Sequence, residues 1–315
     1  MSSSGSFGNW WNSVWFAGQY SIENLGLIRI WMGFSLIILN FSQFISLVTI
    51  DVFGPSFHYI EPIWYFDLLG IDRVSPLTNY VGFFLLQIAC ITMMLGYKTR
   101  ISIITIIICI FYLKGVRDSA AGDVHHRYLM WINVLLMLLI SRSNEILSLD
   151  GLKGALGKRV IDTWEANWPI KMMQVYICFF YFFSAVAKVR VSGINWVMDG
   201  TPIQKMLLTK TARWNFESLP LASIMVEYPL INWAAVLFTL AFEFGFPLIL
   251  LAKSLRTRII FFSGVTIFHV SNTILAGVGF WSIPLLFLIF FDMKKVLARF
   301  PKLEGLIYRL HRKAV

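Results

Sequence analysis

The chain has 315 residues, of which 57% are hydrophobic, 16% are aromatic and only 14% are charged. A soluble core of this length could not hide so much apolar surface, so the surrounding solvent must be lipid. This excludes an ordinary soluble protein and predicts an all-α, polytopic integral membrane helical bundle. The net charge of +10 would suggest nucleic acid in a soluble chain. Here seven basic residues crowd the C-terminal tail, which is typical of an anchor on anionic lipid, so no nucleic-acid partner is expected.

The N-terminal residues 1–22 contain no lysine or arginine, which argues against a cleavable signal peptide. Trp10, Trp11 and Trp15 instead predict a short segment that lies in the membrane interface.

Eight apolar segments follow, and they predict about eight transmembrane helices within a membrane domain of residues 23–292. They lie at about residues 25–50, 77–97, 101–116, 125–141, 170–187, 231–252, 258–276 and 279–292. The third, fourth and last are short for a span of about 20 residues, so their ends are the hardest to predict.

The charges of the connections predict the orientation. Lys98 and Arg100 follow the second segment, whereas the first connection, 51–76, holds four acidic residues and a single arginine. By the positive-inside rule, we expect both termini in the cytoplasm and residues 293–315 as a basic cytoplasmic tail. A bacterial cell membrane is the expected location.

The long connection 188–230 carries its own helix signals. Asp199-Gly200 marks a turn, Thr201 can cap a helix and Pro202 suits its first position. We expect a helical flap on the extracytoplasmic face.

Three ionisable side chains stand in or beside apolar segments, where a charge costs several kcal/mol and a functional site is the first hypothesis. Lys188 ends the apolar run 172–187, His126 precedes a similar run, and His269 lies inside one. The predicted orientation brings all three into the outer half of the bundle.

Each of these residues also has a plain structural interpretation. Lys188 can extend to the lipid headgroups, or it can be a lysine held neutral by burial and able to act as a base. His126 can be an interfacial histidine. His269 can be a packed histidine, although Asn272 lies beside it at helical spacing.

Glu243, in the middle of the sixth segment, is expected to neutralise a buried cation such as Arg29 or Lys188. A metal site is not expected, because the five histidines are scattered and no HExxH motif occurs.

The order of several motifs resembles a known family. The runs MMLGYKTRIS (93–102), HHRYLMWINVLLML (125–138), FFSAVAKVRVSGINWVMDG (182–200) and FHVSNTILAGVGFW (268–281) are similar to the membrane domain of vitamin K-dependent gamma-glutamyl carboxylase. That module is the horizontally transferred transmembrane (HTTM) domain, and the resemblance covers about residues 20–295.

The resemblance implies roles for the three ionisable residues. Lys188 matches the lysine that deprotonates vitamin K hydroquinone in the carboxylase, and His126 and His269 match histidines associated with the same active site. The hydroquinone then reacts with oxygen to give a strong base, which removes a γ-proton from glutamate so that carbon dioxide can add.

An isoprenoid quinol similar to vitamin K or menaquinol is therefore the expected cofactor. We expect Asn272, Trp196 and Glu243 to contribute to its binding site. Two features depart from the carboxylase: Ala187 replaces the first lysine of its lysine pair, and we expect no counterpart of its large lumenal domain.

The leading hypothesis is a gamma-carboxylase-like membrane enzyme that uses a quinol in base-initiated oxygenation or carboxylation at the extracytoplasmic face. The first alternative is a non-catalytic membrane factor for maturation or export of a secreted peptide toxin. The second is a lipid- or quinone-binding or transport protein without chemistry. Expected partners are membrane lipids, a secreted peptide or protein substrate and an accessory protein.

Overall fold

The computed structural model describes residues 12, 20–49, 58–59, 61–121, 128–153, 163–193, 198, 204–205, 207–208, 227–252, 254–276, 280, 282–302 and 304–305. Its elements in chain order are α1 (Ile22–Thr49), β1 (His58–Tyr59), α2 (Trp64–Leu68), β2 (Arg73–Val74), α3 (Pro76–Leu95), α4 (Thr99–Ala121), α5 (Leu129–Ile140), α6 (Leu149–Lys153), α7 (Thr163–Ser192), α8 (Pro229–Gly245), α9 (Leu255–Ala276), α10 (Ile283–Leu286) and α11 (Met293–Leu297). Short 3₁₀ helices extend α8 (Phe246–Leu251) and α10 (Phe287–Phe290). Strands β1 and β2 form a two-residue antiparallel pair. The predicted all-α membrane fold is confirmed.

Five of the described helices are long and apolar enough to cross a membrane. Their apolar stretches are Ile22–Ile45, Pro76–Leu95, Thr99–Ala120, Trp164–Val191 and Pro229–Leu251. Each of the eight predicted segments coincides with a helix, but α5 has only 12 residues and the last segment is divided between α10 and its 3₁₀ extension. The number eight therefore stays a prediction.

Helix α7 is longer than its apolar run. It begins at Thr163 and continues through Lys188 to Ser192. It ends where Gly193 adopts a left-handed backbone with φ of 59°, the usual way for a helix to stop. The first residues of the predicted extracytoplasmic flap, 188–230, therefore belong to α7. Most of the predicted flap, and most of the predicted N-terminal interfacial segment, lie outside the described residues.

The chain divides into two compact units. The first contains residues 1–173 and 292–315, and the second contains residues 174–291.

Close packing of α1 on α3 organises the first unit. A Cβ atom on Gly33 would lie 2.3 Å from Cγ of Met94 and 2.9 Å from the backbone oxygen of Cys90. A glycine is required at this crossing, as is common where membrane helices pack closely.

Buried polar contacts fix the segment after α5 in the first unit. Arg29, which is fully buried, donates hydrogen bonds to the backbone oxygens of Ser143, at 2.7 Å, and Leu147. The Asp150 carboxylate accepts from the backbone N–H groups of Lys98 and Thr99, both at 2.8 Å. These bonds satisfy groups at the start of α4 that have no partner inside the helix.

A charged cluster follows α5. Arg142 pairs with Glu145 and also with Glu165, whose Oε2 lies 2.7 Å from the guanidinium. The hydrogen bonds that Arg142 donates to Glu145 and then to Glu165 raise the pKa of Arg142 above its ordinary value, against the opposing effect of burial. Arg142 therefore stays charged at every physiological pH.

Helix α4 contains a buried ion pair of its own. Nζ of Lys114 contacts Oδ2 of Asp118 one turn later, and both side chains are largely buried.

The last described helix, α11, returns to the first unit. Leu297 packs with Leu27 and Leu147. The backbone N–H of Lys294 donates to Oδ1 of Asn24 at 3.1 Å, and Nζ of Lys294 lies 2.9 Å from Glu23. The predicted basic tail, 293–315, therefore starts as a packed helix.

Candidate functional site

The candidate site lies in the second unit and is organised by one face of α7. Tyr181, Ser184 and Lys188 follow one another at spacings of three and four residues, which places them on the same side of the helix. Side chains from α8 and α9 contact this face.

Lys188 and Glu243 form an ion pair. Nζ of Lys188 lies 2.6 Å from each carboxylate oxygen of Glu243 and 2.8 Å from Oγ of Ser184. The Ser184 hydroxyl donates in turn to Oε1 of Glu243 at 3.3 Å. The lysine side chain is 25% exposed and the glutamate side chain only 6%. The ammonium thus pairs inside the protein, in place of the headgroup contact that the alternative interpretation required.

An apolar contact between α7 and α8 lies beside this ion pair. Ala185 is buried against Val236 and Leu240, which lie on the same face of α8 as Glu243. Alanine on α7 allows the two helices to approach, and Glu243 lies about one turn after Leu240. The carboxylate is consequently held at an apolar helix contact, where a charge is stable only with a partner.

A second hydrogen-bonded pair lies on the same helix face. The Tyr181 hydroxyl is 2.5 Å from Nε2 of His269, and only 4% of the His269 surface is exposed. Nδ1 of His269 is buried and has no hydrogen-bond partner among the described residues. The rings of Phe268 and Phe280 lie 5.1 and 6.0 Å from the imidazole.

Aromatic side chains surround Tyr181. The ring centroids of Phe246, Phe287 and Phe242 lie 4.6, 5.9 and 6.0 Å from its own. Phe242 directly precedes Glu243, so adjacent residues of α8 lie against Tyr181 and against Lys188. Tyr181 and Lys188 are separated by two helical turns, about 10 Å along the axis.

The family of the chain follows from its sequence over this whole region. A family model of the HTTM domain matches residues 19–294, which is most of the chain. The protein belongs to the HTTM domain family. No curated protein and no solved structure matches the chain. The predicted membership is therefore confirmed, and the integral membrane character agrees with the apolar helices.

Several of the predicted site residues lie together in the second unit of this HTTM protein. Lys188 contacts Glu243, as the structural interpretation of Glu243 predicted, whereas Arg29 bonds backbone oxygens in the first unit. His269 is buried on α9, and the partly buried Asn272 follows one turn later. The imidazole is hydrogen-bonded by Tyr181.

Two predicted site residues, His126 and Trp196, lie outside the described residues. The prediction that His126 lies with Lys188 and His269 in the outer half of the bundle thus stays a prediction. Within the described ranges, no three His, Cys, Asp or Glu side chains are grouped so that they could hold a metal ion.

Tyr181 and Ser184 were not among the predicted site residues. The sequence feature that indicates them is the helical spacing: they precede Lys188 by seven and four residues, which places them on the same helix face. Both lie within an apolar run, and their partners His269 and Glu243 come from other helices, which no spacing reveals.

Proposed function

We propose that the second unit of this HTTM protein binds an isoprenoid quinol and removes a proton from it, with Lys188 as the base. The observation that carries this proposal is the contact of the partly exposed Lys188 amine with both carboxylate oxygens of the buried Glu243. The resemblance of the motif around Lys188 to the carboxylase base supports it.

An ammonium cannot accept a proton, so Lys188 must first become a neutral amine, and Glu243 can take the proton that it loses. Transfer of one proton from Lys188 to Glu243 leaves a neutral amine and a neutral carboxylic acid, a pair that a low-dielectric site tolerates. The amine can then accept the proton of a ring hydroxyl, and the regained ammonium faces the new negative charge. Net charge in the site stays constant, and Glu243 holds the proton.

The residues around His269 suit an aromatic diol. Its Nδ1 lacks a partner among the described residues, and the rings of Phe268 and Phe280 lie nearby. A buried polar atom beside aromatic rings fits one oxygen at the edge of a flat ring. A bound quinol would supply the oxygen-reactive ring and the reducing electrons.

Lys188 would work at the extracytoplasmic face of a bacterial membrane, with both termini cytoplasmic, on behalf of a secreted peptide or protein substrate. The charge asymmetry of the connections supports this orientation.

A non-catalytic maturation factor is the second candidate, and one specific observation favours it. The three acceptors around Nζ of Lys188 match the three N–H donors of an ammonium, so the pair is also complete as a structural ion pair. Arginine distinguishes the two functions, because it preserves the charge but does not lose its proton at working pH.

The test compares Lys188→Arg with Lys114→Arg, a matched control in the first unit whose lysine also pairs with an acidic residue one turn away. Each protein is reconstituted in lipid nanodiscs with chemically reduced menaquinone, and oxygen consumption is measured. We expect Lys188→Arg to fold, to retain co-purified quinone by mass spectrometry, and to consume oxygen about a hundredfold more slowly. Lys114→Arg should behave as the wild type.

A wild-type rate in Lys188→Arg would exclude the base mechanism and favour the maturation factor. Absence of both quinone and quinol-dependent oxygen consumption in the wild-type protein would exclude the quinol itself.

A further inference from the structure

The hydrogen bond between Tyr181 and His269 limits where the protons of this pair can lie. Among the described residues, His269 is the hydrogen-bond partner of the Tyr181 hydroxyl, at 2.5 Å through Nε2, and the other ring nitrogen has none. A tyrosine hydroxyl carries one proton, and a neutral imidazole carries one on either nitrogen. Only two neutral arrangements are therefore open to the pair.

These arrangements differ in the number of groups that they leave unsatisfied. If Nε2–H donates to the tyrosine oxygen, both the Tyr181 hydroxyl proton and the lone pair of Nδ1 lack partners. If the Tyr181 hydroxyl donates to Nε2, the imidazole proton sits on Nδ1, and only that N–H is left. Buried unsatisfied groups cost free energy, so the second arrangement is favoured.

A doubly protonated ring is disfavoured for a separate reason. His269 has no ion pair among the described residues, and its ring lies among Phe268, Phe280 and Tyr181. An uncompensated charge in such apolar surroundings is costly.

We propose that Tyr181 fixes His269 in the tautomer protonated on Nδ1, and that this buried N–H is a donor for the carbonyl-type or phenolic oxygen of a bound aromatic ring. Tyr181 is a positioning residue that acts through the imidazole. The nature of the ring rests on the proposed function, whereas the tautomer does not.

In this tautomer His269 presents a hydrogen-bond donor at Nδ1. The hydrogen bond at one imidazole nitrogen sets what the other presents. A ligand oxygen that accepts from Nδ1–H would satisfy the last open group of the pair. The site would therefore prefer an oxygen acceptor at this position over a second N–H donor.

Solid-state NMR of protein labelled with ¹³C,¹⁵N-histidine in quinone-free liposomes of synthetic phospholipid tests the tautomer directly. The chain has five histidines, so His269→Gln assigns the signal by difference. We expect the wild-type protein to show His269 protonated on Nδ1. Tyr181→Phe should release the ring to the Nε2-protonated form or to a mixture.

Tyr112→Phe is the matched control, because that hydroxyl contacts Thr78 and Asn79 in the first unit. It should leave the His269 signal unchanged. A wild-type His269 protonated on Nε2 would overturn the proposal, even if Tyr181→Phe failed to fold. An unchanged tautomer in folded Tyr181→Phe would overturn it as well.

Addition of menaquinone-4 tests the ligand part. We expect the Nδ1 resonance of His269 to shift on binding, and Tyr181→Phe to bind about tenfold more weakly. Saturation of the wild-type protein without a shift at Nδ1 would overturn the donor role. The tautomer is measured in ligand-free protein and should be the same in Lys188→Arg, so failure of the base mechanism and failure of this proposal are distinguishable.

Discussion

The two partners of the Lys188–Glu243 pair differ in their access to the surroundings. The glutamate side chain is nearly enclosed, whereas a quarter of the lysine side chain is exposed. A proton that moves from Lys188 to Glu243 would therefore move inward, and the amine would be left on the accessible side. This direction of proton transfer leaves the neutral amine where a substrate can reach it, as a base requires.

Replacement of Glu243 by glutamine should destabilise the second unit. Glutamine leaves the Lys188 ammonium without a counter-charge, and removal of one partner of a buried pair costs about 3 kcal/mol. The apparent unfolding midpoint in detergent can be followed with a thiol-reactive dye, because Cys90, Cys109 and Cys178 are buried and free. Glu243→Gln should unfold at a distinctly lower temperature than the wild type.

Two further variants separate structure from chemistry. Lys294→Met removes a more exposed pair with Glu23 and should change the midpoint little. The double variant Lys188→Met/Glu243→Leu replaces both charges and should recover most of the lost stability, since apolar pairs can replace buried ion pairs. Recovered stability with recovered function would show that the pair is only structural.

The sequence predicted part of this site. Lys188, Glu243 and His269 were recognised because charged or polar groups in apolar segments are rare, and the Lys188–Glu243 contact was among the predicted pairs. The Tyr181–His269 contact joins residues 88 positions apart on different helices. Hydropathy describes each helix alone and does not specify which faces meet.

At the scale of helices, Gly33 sets the distance between α1 and α3. A methyl group there would meet the backbone oxygen of Cys90, which cannot rotate away. Gly33→Ala should therefore destabilise the first unit by about 2 kcal/mol, as overpacking does. The same dye assay should report a lower midpoint.

Gly82 on α3 is the matched control for this prediction. The nearest atom to a Cβ there is Cδ1 of Tyr112 at 3.5 Å, an ordinary contact. Gly82→Ala should be neutral or stabilising by up to about 1 kcal/mol, because alanine favours the helix. Equal effects of the two substitutions would contradict the packing role of Gly33.

Helix positions were more predictable than helix ends. Apolar runs located the helices, but α7 extends beyond its run at both ends because Thr163–Lys171 and Lys188–Ser192 mix polar and apolar residues. The 3₁₀ turn after α8 has a local cause: Pro247 has no N–H to donate, so regular α-helical bonding cannot continue.

At the scale of the whole molecule, the predicted topology places the first connection outside and the basic tail inside. Asp67 and Lys295 are both exposed positions in these two regions. In intact cells, a membrane-impermeant maleimide should label a cysteine at Asp67 and should not label one at Lys295. The native cysteines are buried and give little background. Labelling of Lys295→Cys but not of Asp67→Cys would show that the orientation is the reverse of the predicted one.

The number of membrane crossings depends on more than hydropathy. Five described helices meet the length and composition of a span, and α9 has 22 residues, about 33 Å of helix. Helix α9 also carries Arg256 and Arg258 in its first turn, and α5, with 12 residues, is too short to cross alone without local thinning of the bilayer. Sequence windows cannot decide such cases, because neighbouring helices determine how polar ends are accommodated.

The return of α11 to α1 has a consequence for biosynthesis. Residues 292–297 complete the first unit through Leu297 and Lys294, yet the ribosome makes them only after the entire second unit. Helix α1 is translated early, but Leu27 lacks its contact with Leu297 until α11 has been synthesised. Nascent chains arrested before residue 292 should therefore be the species that chaperones and membrane proteases recognise, and their release should coincide with translation of α11.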